Sequence, residues 1–65
     1  MNNATQTYKH VRSIQTRILR LNRQAVADRA NIHLNTIVRF LNHGNITITT
    51  LGDIEHACTY LENLP

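Results

Sequence analysis

One cysteine, one proline, two glycines, no tryptophan and only 5% aromatic residues leave this 65-residue chain without the hallmarks of several protein classes. The single thiol, Cys58, forbids an intrachain disulfide. Small secreted domains usually carry several bridges, so the count points to a reducing, cytoplasmic setting. No run of about 18 apolar residues offers a membrane span, and the N-terminal MNNATQTYKH lacks the apolar stretch of a signal peptide. A glycine-rich phosphate loop, a Ser/His/Asp set and a close carboxylate pair are all missing. So short a chain also has little room for a shielded pocket, so no enzyme activity, cofactor or small-molecule ligand is expected. Four histidines raise the question of a metal, but His10, His33, His43 and His56 stand 23, 10 and 13 residues apart, which is not zinc-ligand spacing.

What the chain does have is a polarised charge pattern. Residues 1–45 carry all seven Lys and Arg side chains against the single acid Asp28, a net of +6. Residues 46–65 carry Asp53, Glu55 and Glu62 and no base, a net of −3. With a pI near 9.8, this asymmetry fits a polyanion partner for the first two thirds, though a solvated basic surface would look the same. The hydrophobic fraction of 42% with 17% charged residues fits one small helical domain.

Periodicity divides the domain. Residues 1–7 are polar and aperiodic, and read as a flexible N-terminal arm ahead of a single domain over 8–65. Val11, Ile14, Ile18 and Leu21 recur at helical spacing, with Arg12, Arg17 and Arg20 off the stripe. Those arginines add general attraction to a polyanion or cover apolar surface with their stems. Asn22 sits where an N-cap belongs for a second helix, about 23–30, that buries Val26, Ala27 and Ala30. Asn31, tolerant of the left-handed conformation, breaks it, and Ile32 plugs the turn. A third helix, about 33–42, places Ile37, Phe40 and Leu41 on one face and Leu34, Asn35, Val38, Arg39 and Asn42 around the other. The segment NHGN ends it, an extended connector follows, and Thr47 caps a fourth helix with the stripe Ile48, Leu51, Ile54, Ala57 or Cys58, and Leu61. Gly52 weakens the first turn of that helix, and Cys58 is a small core residue rather than a nucleophile.

From Gln24 to Asn42 the pattern Q-A-V-A-x-x-A-N-I-x-x-x-T-I-V-R-F-L-N, followed by T-L-x-x-I-x-x-A from Thr50 to Ala57, resembles the lambda-repressor-like helix-turn-helix proteins of the phage Cro and CI type. The resemblance spans about residues 11–61 and lies in the combination: Ala27, Asn31, Ile37, the Phe40-Leu41-Asn42 ending and the Leu51/Ile54 stripe. Asn31 stands where a glycine is common, and His43 precedes Gly44 where a glycine usually follows the asparagine directly. The resemblance implies an all-α bundle of four or at most five short helices whose third is the recognition helix. Asn35 and Arg39, one turn apart, would then reach base edges, with Leu34 and Val38 beside thymine methyl groups. Packing in a core or a dimer is the competing role for those two apolar residues.

Arg23 matches a phosphate-holding position at a helix N-terminus, and Gln24, His33, Thr36, Asn42, His43 and Asn45 are further candidates for backbone contacts. The partner so implied is a double-stranded, pseudo-palindromic operator bound by a homodimer in a bacterial host cell, with Tyr60, Leu61 and Leu64 as candidate dimer contacts. An antitoxin or a restriction-system controller would share the same layout. From another class, the basic amphipathic first helix could serve a membrane surface or a protein partner.

Overall fold

The structure, a computed structural model, describes the backbone of residues 3–65 and the side chains of residues 9–65. Four helices follow in order: α1 (Asn3–Arg20), α2 (Arg23–Ala30), α3 (Leu34–His43) and α4 (Ile48–Glu62). Among the described residues there is no strand. The helix begins at Asn3, so residues 3–7 belong to α1 and not to an arm, while residues 1 and 2 lie outside the described residues. Once the buried stripe nucleates a helix, each added residue needs only one more bond, and NATQT contains no glycine or proline to stop it.

Each junction is closed by local chemistry. Asn22, extended at φ −108° and ψ 126°, accepts the N–H groups of Gln24 and Ala25 through Oδ1 at 2.8 and 3.1 Å. Asn31 takes the left-handed conformation, φ 60° and ψ 45°. Its N–H donates to Asp28 O and the N–H of Ile32 to Ala27 O, the paired bonds of a Schellman motif. Ile32, next after the left-handed residue, packs against the core as that motif favours. His33 precedes α3 without a side-chain cap bond, so α3 runs from Leu34 to His43, one residue later at each end than its periodicity suggests. Gly44, at φ 73°, stops it by donating to Phe40 O at 2.8 Å. Thr47 caps α4 by accepting the N–H of Thr50.

The core is drawn from every helix: Ile14 and Ile18 of α1, Val26 and Ala27 of α2, Ile37 and Phe40 of α3, and Ile54, Ala57 and Cys58 of α4. The methyl-sized Ala27 has no exposed surface, and α2 lies against both α3 and α4 while α1 packs on α4 and α2. A larger side chain there would overpack the centre. Burial pushes the Cys58 thiol up from its usual value, which keeps it protonated and unreactive.

Ile48 departs from the expected stripe, being 88% exposed. Six residues at about 100° each set it about 120° round the helix from buried Ile54, with half-buried Leu51 between them. Ala30 and Leu41, expected on buried faces, are half-buried at the edge of the core.

Part of the charge asymmetry is spent inside the fold. Arg17 of α1 donates from Nε and Nη2 to the Glu62 carboxylate of α4 at 2.9 and 2.7 Å, and from Nη2 to Thr59 Oγ1 at 3.1 Å. The hydrogen-bonded guanidinium holds the Glu62 carboxyl below its ordinary value. His10 Nε2 lies 3.4 Å from Glu55 Oε1, a second pairing of α1 with α4. Arg17 therefore faces α4 rather than offering a free basic surface.

Candidate nucleic-acid interface

The inward side chains of α3 set its rotation. Ile37 and Phe40 are fully buried, which turns Leu34, Asn35, Arg39 and Asn42 outward. Asn35 and Arg39 are one helical turn apart on this ridge, and Asn42 lies near the end of the same helix. Val38 is half-buried rather than exposed, because it leans toward α1 and α2. Thr36 is half-buried as well, its N–H taken by His33 O at 3.0 Å in the first turn. His33 is exposed at the start of α3, and His43 and Asn45 are exposed at its end.

Two open grooves flank α3. The first lies between Leu19, Leu21 and the α2 start at Asn22, Arg23 and Gln24 on one side, and Leu34 and Val38 on the other. The second opens between α1, through Arg12, Gln15 and Thr16, and the end of α3 at Asn42, His43 and Gly44. Leu19 and Arg23 border both grooves, and no aspartate or glutamate lines either. Gln15 bridges the second groove's walls, its Nε2 donating to Phe40 O at 2.7 Å. That carbonyl thus receives both the Gly44 N–H and a side chain of α1, so the end of α3 is anchored to the first helix.

The geometry sorts the expected site residues. Arg23, Gln24, Leu34 and Val38 share one groove, and Arg23, Asn42 and His43 share the other. Gln24 is turned along its own helix, its Nε2 donating to Asp28 Oδ1 at 2.8 Å, which also gives Asp28 its partner. Tyr60, Leu61 and Leu64 border neither groove. The Arg29 guanidinium lies 3.6 Å from the centroid of the exposed Tyr60 ring, a cation–π contact. Leu61 packs against the core, whereas Leu64 is 52% exposed.

Leu19, Arg12 and Gln15 were not singled out as site residues by periodicity. For Leu19 the signal exists: it is the apolar residue of α1 that falls off the Val11, Ile14, Ile18, Leu21 stripe. Among the described residues no three His, Cys, Asp or Glu side chains gather as a metal-binding group, and no helix is long and apolar enough to cross a membrane. No family model, curated protein or solved structure matches this chain.

Proposed function

We propose that the protein is a sequence-specific double-stranded DNA-binding transcription regulator, a small repressor of the phage Cro type that acts as a homodimer on a pseudo-palindromic operator. One observation carries the reading: an N-capped helix, a left-handed asparagine turn and a second helix present Asn35, Arg39 and Asn42 outward, beside two acid-free grooves bordered by Arg23. This layout suits insertion of α3 into a major groove with the start of α2 over the phosphate backbone. Asn35 can bond adenine through N6 and N7, and Arg39 can clamp guanine through O6 and N7. Arg23, at the positive end of α2, and Asn42 and His43, at the far end of α3, line one groove and can hold phosphates along it. The resemblance of the Gln24–Asn42 segment to phage repressors agrees with this reading. One recognition helix supplies few base contacts, so a pair of copies on half-sites about one turn apart provides the specificity.

Selection of bound sites from a random duplex pool, followed by titration at several salt concentrations, tests the proposal. A two-fold symmetric motif is the expected product, with affinity that falls as salt rises. Equal affinity for every duplex would sink the sequence-specific claim.

A further inference from the structure

The outward ridge of α3 is not supported equally along its length. Among the helices, α3 lies close along α2 but not along α1 or α4, so its backbone is held chiefly at the end that the Asn31 turn joins to α2. Asn35 stands in that supported first turn. Arg39 and Asn42 stand in the half that runs on to Gly44, where an open groove separates α3 from α1.

A hydrogen bond crosses this groove. Gln15 of α1, half-buried, donates from Nε2 to Phe40 O at 2.7 Å, joining residues 25 apart in the chain. Phe40 O also accepts the Gly44 N–H at 2.8 Å, and a Cβ at Gly44 would lie 3.8 Å from Gln15 Nε2. The amide therefore rests against both the last turn of α3 and the left-handed residue that ends it. Phe40 follows Arg39 directly and precedes Asn42 by two residues. Burial of the Phe40 ring attracts without direction, whereas an amide–carbonyl bond fixes distance and angle.

Building on the DNA-binding reading, we propose that Gln15 is a positioning residue for base recognition. Its bond to Phe40 O sets the tilt of α3 about the α2 junction and so the placement of Arg39 and Asn42, while Asn35 depends on the junction itself. Gln15 acts through α3, not through a contact with a base.

Two variants separate this role from general support of the fold. Gln15→Met keeps the length of the side chain and removes the donor; Gln15→Glu keeps its shape but, once ionised, only accepts. Each full-length variant, checked for folding by circular dichroism, is taken through site selection from random duplexes and titrated by fluorescence anisotropy against the wild-type site and a scrambled duplex. Gln15→Met should weaken the selected site about tenfold, the scale of one misplaced bidentate base contact, and leave the scrambled duplex unchanged. Its motif should relax at the position that Arg39→Ala also relaxes and stay sharp at the one that Asn35→Ala relaxes. Gln15→Glu should relax the same position and weaken the scrambled duplex too, because it adds a carboxylate to an acid-free groove. Arg17→Met loosens α1 from α4 rather than from α3, and should leave the motif intact.

An unchanged motif in Gln15→Met would overturn the inference while leaving the regulator reading intact. So would equal weakening of both duplexes, or relaxation at every position alike, which is what lost stability alone would produce. If no duplex binds the wild-type chain under any condition, the DNA-binding reading fails and this inference with it.

Discussion

Replacing Asn31 offers the sharpest check on how the two central helices are joined. Its φ of 60° and ψ of 45° lie in the left-handed region, where an ordinary L-residue is strained by roughly 1–2 kcal/mol because Cβ crowds the backbone. The conformation is held by two backbone bonds, from the Asn31 N–H to Asp28 O and from the Ile32 N–H to Ala27 O at 3.0 Å, and by Ile32 packing on the core. Alanine keeps those bonds but has neither the tolerance of asparagine nor the freedom of glycine. Asn31→Ala should therefore cost about 1 kcal/mol, which in a domain of this size lowers the Tm by roughly 4–8 °C.

Glycine should behave differently at this position. It adopts the conformation without strain but adds about 0.4–1 kcal/mol of unfolded-state entropy, so Asn31→Gly should lie near the parent. The order glycine above alanine is the diagnostic, since it reverses the usual helix ranking. An exposed α1 position supplies the control: Ser13→Ala should exceed Ser13→Gly by about 1 kcal/mol. Thermal and urea unfolding followed at 222 nm would measure all four variants. If Asn31→Ala proved as stable as Asn31→Gly or more so, the left-handed turn would not be what joins α2 to α3.

Other consequences follow from the same physical terms. Phe40→Ala removes the largest fully buried side chain and should cost about 3–5 kcal/mol, most of the stability of so small a domain; a cooperative urea transition at an unchanged midpoint would refute this. Arg39→Ala should cost about 1–3 kcal/mol and relax one base position in a selected site, whereas Arg23→Ala should weaken all duplexes alike and flatten the salt slope by about one unit. Identical specificity profiles for the two variants would contradict these separate roles. The Glu62 carboxyl is lowered by its hydrogen bonds from Arg17, so the pairing stabilises the fold fully above the ordinary glutamate value of about 4.3 and is lost as pH falls through the lower folded value. Arg17→Met should therefore destabilise at pH 7 and converge with the parent in acid; a stability gap that stays constant down to pH 3 would discount the ion pair.

Much of this architecture is legible in local chemistry. Asn22, Asn31 and Thr47 are short polar residues placed where a backbone needs a cap or a left-handed turn, and each does that in the fold. Three- and four-residue spacing identified Ile14, Ile18, Ile37, Phe40 and Ile54 as buried, because a helix presents such residues along one face. The same spacing misplaced Ile48, since a run of three-residue steps drifts round the helix and the core ends before it reaches that position. The N-terminal arm was misread for a related reason: NATQT carries no apolar pattern, yet it lacks any residue that would end a helix already begun.

The outward ridge of the candidate site was equally visible, as Asn35, Arg39 and Asn42 fall opposite Ile37 and Phe40 on one helix. The grooves beside it were not. They form where Arg12, Gln15 and Leu19 of α1 meet Arg23, Leu34 and Asn42 of other helices, and no periodicity within a single segment encodes that meeting. Likewise, charge counts separated a basic front from an acidic tail, but only packing brought Glu62 onto Arg17 and Glu55 beside His10.

The sequence by itself determined four helices, their caps and the outward side of α3, because those depend on residues within a turn or two of one another. Tertiary structure decided which arginines remain at the surface grooves, which leucine joins them and how Gln15 anchors the end of α3, because these rest on contacts between residues as many as 45 positions apart.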